Sequence, residues 1–447
     1  MELQNIKEII FKAANDAGLT EYEIYYMSGA GISAEALKDT LSGFTSNQGG
    51  GVSLRCTVDG KMGYASTELF TEQELTELVS RAIDNARYIE REDAAPIFKG
   101  SESYATLNLP EYHEMSAADV KAMTLDLQAQ VYAAHEGVTD GTQSAVFSQQ
   151  SEIYLCNSHG LELSNRVGIN VVYVVPIMRI GEESTDGFAF AECSDTEKLQ
   201  NLAKKATEDA AAKVGAGSVA SGKYNVVIAG SEMRSILSVF ASAFSARNAQ
   251  LGLSLLAGKE GQKIAADCVS ITDDPMREGA PMQTHFDGEG VATYKKDIVK
   301  DGVLCTLLYD LSTAAKAGVA STGNGMRGSY ASQVNVAPFN FGICAGTLSE
   351  EELFAKAENG IYITGVKGLH AGADATTGDF SIESEGFLIE NGVKTSYVRS
   401  FTIAGNFFEL LKNVDSLSDK VDWGLPGGFT LFGSPAVLIK DMSVAGK

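Results

Sequence analysis

Met233, Ile236, Leu237, Phe240 and Phe244 recur at i, i+3, i+4, i+7 and i+11, the single apolar stripe of a helix that the sequence places over 231–249. A β-rich run, Tyr224-Asn-Val-Val-Ile228, precedes it and breaks at Ala229-Gly230. Ser231 is the expected N-cap, and Glu232 stands where a helix N-terminus favours negative charge. The remainder is mostly Ala and Ser, so the helix can pack closely on more than one side. It holds no His, no Cys and no acid beyond Glu232. A strand, a tight turn and a helix form a frame on which enzymes mount chemistry, yet this one is chemically bare.

The same periodicities lay out the rest of the chain. Leu3, Ile6, Ile9, Ile10, Ala13 and Ala14 predict an amphipathic helix over 3–17, stopped by Gly18. A strand of alternating character follows over Glu21–Met27, and Asp59-Gly60 predicts a hairpin between Val52–Val58 and Met62–Ser66. Thr71-Glu-Gln-Glu74 reads as a capping box opening a helix with Leu75, Leu78, Val79, Ala82, Ile83 and Ala86 on its core face. Residues 90–115, with Pro96 and Pro110, are irregular, and Ser116 starts a helix reaching about His135. Strands are expected at Ser144–Gln149, Ser151–Cys156 and Leu161–Asn165, the last two joined across Asn157-Ser-His-Gly160. Val167–Ile180 is a β-branched run interrupted by Pro176; Phe188–Glu192 is a further strand and Asp195–Val214 an Ala-rich helix. The order resembles that of 21–88, as in an internal duplication, but the two stretches share too little sequence identity to establish one.

Gly215–Gly222 is the best linker, so the expected domains are 1–220 and 221–447. The second half reads largely as β, with hairpins at Lys300-Asp-Gly302 and Glu390-Asn-Gly392, short helices near Ser349–Asn359 and Ile403–Val414, and shaped glycine-rich loops from 318 to 378. The fold class is α+β in two domains. An N-terminal α/β sandwich-like domain precedes a β-rich C-terminal domain that carries the strand-helix unit.

Composition narrows the function classes. A chain of 447 residues with 44% hydrophobic content can bury more than one core. No apolar run reaches the roughly 18–20 residues of a membrane span, and the N-terminus lacks a signal peptide's basic start and apolar core. Cys56, Cys156, Cys193, Cys268, Cys305 and Cys344 show no metal-type spacing, and reduced thiols in a cytoplasmic protein are expected. A net charge of −23 repels phosphate backbones and disfavours direct nucleic-acid binding.

Isolated motifs carry little. Gly323-Asn-Gly-Met-Arg-Gly328 matches GxGxxG, but a helix-like run precedes it and the β-like Ser329-Tyr-Ala-Ser-Gln333 follows, the reverse of a dinucleotide site. His113-Glu114 and His135-Glu136 lack a second histidine one turn on. His285, Asp287 and Glu289 alternate, as cation ligands on one strand face would, although an exposed polar face at a glycine-rich turn explains them as well. No GxSxG elbow occurs. Asp379, Glu383 and Glu385 form an acidic group near His370, either a solvated rim or part of a binding cleft.

In order, Gly51-Val-Ser-Leu-Arg-Cys56, Gly63-Tyr-Ala-Ser-Thr67, Gly258–Ala265, Phe286-Asp-Gly-Glu-Gly290, Ser321-Thr-Gly-Asn-Gly325, Gly368-Leu-His-Ala-Gly372, Thr377-Gly-Asp-Phe-Ser381 and Ile389-Glu-Asn-Gly392 resemble the TldD/PmbA family, long labelled modulators of DNA gyrase. The resemblance spans essentially the whole chain. It implies a metalloprotease acting on small or unfolded peptides and built from two kinds of subunit. The TldD kind carries HExxxH on the helix after a strand, plus a later Cys, as zinc ligands. Here that window falls near Leu237, Ser238 and Ser242, with the Cys position near Trp423, and no His lies between His159 and His285.

The chain therefore looks like the PmbA kind, also called TldE, with no catalytic or metal-binding residue of its own and zinc expected only in a TldD-type partner. A heterodimer with that subunit, or a homodimer, is implied, with His370, Gly378, Asp379, Ser381 and Asn324 as the candidate peptide cleft. Two other readings stay open: a stand-alone peptidase built around His370, Asp379 and Glu385, and a regulatory protein that binds DNA gyrase or related factors.

Overall fold

A computed structural model of the chain describes residues 1–90, 95–192 and 196–447, with side chains from Leu199 onward in the helix that begins at Thr196. Cys193, the helix start expected at Asp195, and 91–94 of the irregular stretch lie outside the described residues.

The first half runs α1 (Leu3–Asp16), β1 (Tyr22–Leu37), β2 (Thr40–Val58), β3 (Lys61–Thr67), α2 (Glu72–Tyr88), then α3 (Ala117–Ala134), β4 (Gln143–Asn157), β5 (Glu162–Val175), the small hairpin β6 (Ile177–Ile180) and β7 (Glu183–Asp186), β8 (Ala189–Glu192) and α4 (Thr196–Ala212). A six-stranded antiparallel sheet has the order β3-β2-β1-β4-β5-β8. Helix, three strands and helix thus occur twice, joined through the β1–β4 pair. The two halves share a packing device. A Cβ on Gly63 would lie 1.9 Å from the Ala82 carbonyl of α2, and one on Gly187 would lie 2.0 Å from the Ala206 carbonyl of α4.

Strand alternation decides what each face meets. Tyr22, Ile24, Ala34, Val146, Tyr154 and Cys156 face the helices. One core forms against Ile6, Ile10, Leu75 and Leu78 of α1 and α2, the other against Val120, Leu127, Leu202 and Ala206 of α3 and α4. The odd-numbered positions, Glu23, Tyr25 and Arg55 among them, face the second half of the chain.

Several boundaries differ from expectation. Ser144–Gln149 and Ser151–Cys156 are one strand, because Gln150 pairs with Ala30 on one side and Gly168 on the other. Leu161–Asn165 and the start of the Val167 run likewise merge into β5. At α2 the capping box is half formed. Thr71 accepts from the Glu74 N–H, but the Glu74 carboxylate turns to Arg81 at 2.7 Å and Thr67 at 3.0 Å. At α3 the Ser116/Asp119 box is complete.

The second half comprises β9 (Gly222–Ile228), α5 (Gly230–Phe240), α6 (Ala246–Gln250), β10 (Ile271–Asp273), β11 (Lys296–Lys300), β12 (Val303–Leu304), α7 (Leu311–Ala317), β13 (Gly325–Met326), β14 (Asn335–Val336), β15 (Asn340–Ile343), α8 (Glu350–Ala357), β16 (Gly360–Lys367), α9 (Leu369–Gly372), β17 (Asp379–Glu390), β18 (Val393–Asn406), α10 (Phe407–Lys412), β19 (Val414–Trp423) and β20 (Leu431–Ala445). Its large sheet runs β12-β11-β10-β15-β20-β18-β17-β16-β9, and β20 pairs back onto β9, so five strands close on themselves. The expected hairpins at Asp301-Gly302 and Asn391-Gly392 are present.

The helix expected over Ile403–Val414 is shorter. Ile403 is held in β18 by Ile382 and Val444, and the helix starts only where Asn406 caps the Phe408 N–H at 3.1 Å. Ser329–Gln333 is a turn rather than a β run, closed by Ser332 N–H donating to the Ser329 carbonyl.

Candidate functional site

The strand-helix unit is β9 followed by α5. Met233, Ile236, Leu237, Phe240 and Phe244 are all 0% exposed, and Phe240 stacks on Phe407 at 4.5 Å between centroids. The helix is shorter than the apolar stripe suggests. It ends at Phe240, passes through a 3-10 turn at Ala241–Phe244 and restarts as α6 under a Ser245 cap. Backbone bonds from Leu308 N–H to the Phe244 carbonyl and from Ala246 N–H to the Leu308 carbonyl replace helical ones there. The N-cap is Ala229, not Ser231. Ser231 lies inside the first turn and its hydroxyl donates to Glu232 at 3.1 Å.

The four positions that the resemblance assigns to a degenerate metal site are spread over different environments. Leu237 is in the core, the Ser238 hydroxyl donates to the Ser235 carbonyl at 2.7 Å, and Ser242 is exposed. The Trp423 ring lies under the Arg277 guanidinium, 4.1 Å from the ring centroid. An apolar side chain, two hydroxyls and an indole supply no thiolate, imidazole or carboxylate, so these residues do not fit a zinc ion.

Beside the N-terminal end of α5 opens a cleft of about 880 Å³. Its walls come from both halves of the chain: Phe188, Phe190, Lys205 and Lys213 from the first, and α5, β16, β17, β18 and β19 from the second. Glu232 crosses to β16, where its carboxylate accepts the Val366 N–H at 3.0 Å; burial pushes its pKa up. Arg234 pairs with Asp422 and lies over the Phe190 ring. Glu385 receives Lys213 at 2.6 Å and Lys367 at 3.3 Å. Its burial alone would raise the carboxyl pKa, but the two lysines outweigh burial and lower it. A β-bulge between Ser384 and Gly386 and the missing Cβ of Gly365 make room for the Glu385 side chain.

His370, Gly378, Asp379 and Ser381 come together at one end of β17. The turn of α9 that carries His370 packs Gly372 on the Ser381 backbone, and Asp379 accepts from Asn406 at 2.9 Å. His370, Asp379 and Ser381 are exposed there and Gly378 is buried, and none of the four lines the large cleft. Asn324 is 0% exposed and lies in a separate network, donating to Asp273 at 2.7 Å and receiving Lys296 at 3.1 Å and Thr322 at 2.8 Å.

Asp287 and Glu289 are not an exposed face: their exposures are 2% and 1%. Glu289 accepts from Arg55 at 3.0 Å and from the Leu311 N–H at 2.8 Å. Asp287 accepts the N–H groups of Glu289, Val291 and Gly325, and burial together with Glu289 pushes its pKa to about 7. Arg55 also lies 2.8 Å from Glu23, which Arg327 reaches with its guanidinium over the Tyr25 ring. This buried lattice joins the two halves; Asp287 and Glu289 stand out in the sequence as alternating acids, whereas their connection to Arg55, Glu23 and Arg327 does not. Its visible trace is a charge set among apolar neighbours in Tyr22-Glu23-Ile24 and Leu54-Arg55-Cys56. Among the described residues, no group of three His, Cys, Asp or Glu side chains is placed to hold a metal ion, and no helix is long and apolar enough to cross a membrane.

Three family models match the sequence: PmbA/TldA metallopeptidase domain 1 over 22–86, the central domain over 110–214 and the C-terminal domain over 221–446. A metalloprotease of Methanothermobacter thermautotrophicus is 30% identical over 322 residues, 70% of this chain and 69% of that one. The metalloprotease PmbA homolog of Haemophilus influenzae is 25% identical over 433 residues, 94% of this chain and 92% of its own. A Thermotoga maritima protein described as a modulator of a DNA gyrase superposes with a TM-score of 0.89 at 27% identity, covering 99% of this chain and all of that one. TldE from Thermococcus kodakarensis shares the fold at a TM-score of 0.81 and 22% identity, over 99% of this chain and 100% of its own.

Proposed function

The chain belongs to the PmbA/TldD metallopeptidase family, and we propose that within it this chain is the PmbA/TldE-type subunit, which does not carry out the hydrolysis itself. Its role is to pair with a TldD-type subunit and to help enclose small or unfolded peptides that the partner's zinc site cleaves. The observation that carries this reading is the chemistry at the ligand positions. The strand-helix unit is kept, but Leu237 fills the core, Ser238 is bonded within its own helix, Ser242 faces solvent and Trp423 stacks on Arg277. A zinc-bound water needs three protein ligands and a base beside it, and the five histidines of the chain are dispersed singly.

The test uses the purified chain with and without a TldD-type subunit. Bound metal is measured by elemental analysis, and cleavage of casein and of short peptides is followed. The proposal expects no stoichiometric zinc in the isolated chain, no cleavage by it, and a complex whose activity exceeds that of the TldD-type subunit alone. Zinc and peptidase activity in the isolated chain would overturn it. If His370→Ala and Asp379→Ala then abolished that activity, the stand-alone peptidase would take its place.

A further inference from the structure

The large cleft departs from the charge balance of the molecule around it. The whole chain carries 35 Lys and Arg against 58 Asp and Glu. Among the described residues, the cleft is lined by six basic side chains, Lys205, Lys213, Arg234, Lys367, Lys394 and Lys420, against five acidic ones, Asp209, Glu232, Glu350, Glu385 and Asp422. The acids are mostly engaged. Glu385 is shared between two lysines, Asp422 is held by Arg234, and Glu350 accepts the Tyr362 hydroxyl at 3.0 Å. Glu232 faces a backbone N–H and a serine hydroxyl, and burial favours its neutral form. Lys394 and Lys420 are exposed at the rim, Lys394 over the Phe387 ring at 4.6 Å.

Aromatic surface lies beside these charges. Phe188 is 54% exposed, an unusual state for phenylalanine, and its ring is 6.0 Å from Phe190. Phe387, Tyr397 and Trp423 line the same space. Low-dielectric aromatic walls strengthen the field of nearby ammonium groups and leave a surface that an apolar side chain can cover.

We infer that this cleft binds an extended peptide segment that carries carboxylates next to an apolar residue, so that the subunit selects acidic peptides. The inference rests on the peptide-handling role proposed above and adds a selection rule to it. Carboxylates meet Lys394, Lys420 and the lysine that Glu385 leaves uncompensated, while the apolar residue covers Phe188. Because the rest of the surface is acidic, the same segment is repelled elsewhere and concentrated here.

The experiment is fluorescence anisotropy on the isolated full-length chain. Three labelled peptides share their length and apolar residues and differ in having Glu, Gln or Lys at the same positions. The Glu peptide is expected to bind about tenfold more tightly than the Gln peptide at low salt, with the gap closing as salt screens the lysines. Lys394→Glu with Lys420→Glu should remove the preference. Lys12→Glu with Lys259→Glu, which changes net charge equally at exposed lysines outside the cleft, should keep it.

Equal binding of the Glu and Gln peptides, no binding of any peptide, or a preference that survives Lys394→Glu with Lys420→Glu would each overturn the inference. Tighter binding of a single-stranded DNA oligonucleotide than of the Glu peptide would also overturn it, since the lysines would then serve phosphates. A preference for acidic peptides together with failure to enhance a TldD-type subunit would remove the proposed function and leave the binding site.

Discussion

Arg55 on β2 and Glu289 in the loop before β11 meet at 3.0 Å across 234 residues of sequence, at side-chain exposures of 5% and 1%. The contact ties the six-stranded sheet to the second half of the chain, and Glu23 completes it from β1. A buried pair of this kind is weak evidence for net stability, but removing one member strands the others in a low dielectric. Arg55→Ala is expected to cost about 3–5 kcal/mol by that mechanism, read as a lower urea midpoint. Arg55→Met with Glu289→Gln should recover much of the loss, because Glu23 keeps Arg327 as its partner and neither Arg55 nor Glu289 leaves a charge unpaired.

Asp287 makes this region sensitive to pH. Its folded pKa of about 7 lies above the ordinary aspartate value because of burial and the Glu289 carboxylate. Between about pH 4, where an unfolded aspartate titrates, and about pH 7, the folded chain holds a proton that the unfolded chain has released. The stability linked to Asp287 is therefore fully present below that window and is lost as pH rises through it. Asp287→Asn should remove this component. Denaturant unfolding of both proteins across the window should show the parent chain losing stability relative to the variant as pH rises, and parallel curves would refute the assignment.

Gly63 and Gly187 occupy equivalent places in the two helix-strand-helix units, each under a helix carbonyl at about van der Waals overlap for any Cβ. Gly63→Ala and Gly187→Ala should each destabilise by about 1–3 kcal/mol or more through forced separation of sheet and helix. Gly60→Ala at the β2–β3 turn has open space around it and is strained only by its φ of 77°. Comparison of the three melting temperatures separates overpacking from backbone strain.

Glu232 replaces a strand neighbour for the Val366 N–H at the edge of β16. Glu232→Ala leaves that donor without its acceptor and should cost about 1 kcal/mol, with faster amide exchange at Val366 measured by NMR. Glu232→Gln keeps an acceptor oxygen and should preserve slow exchange.

Local pattern accounts for much of the fold. The stripe from Met233 to Phe244, the Asp-Gly and Asn-Gly hairpins and the Ser116 cap depend on neighbours a few residues away, so they are legible in one dimension. Strand lengths were less so. Gln150 looks like a polar break, but it is extended because strands lie on both sides of it. The end of α5 was hidden for a related reason: Leu308, remote in sequence, takes the backbone groups that would have continued the helix.

The sequence by itself determined the family, through the order of its short motifs, and the residue types that stand at Leu237, Ser238, Ser242 and Trp423, since a residue type is chemistry that needs no coordinates. Only the tertiary structure decided where charge is gathered. Asp287 and Glu289 read as a solvated turn until Arg55 and the backbone of Gly325 enclose them. The lysines of the cleft are scattered between 205 and 420 and become one site only when α4, β16, β18 and β19 converge. Burial and electrostatic potential are sums over neighbours in space, and chain order carries those sums only where neighbours in space are also neighbours in sequence.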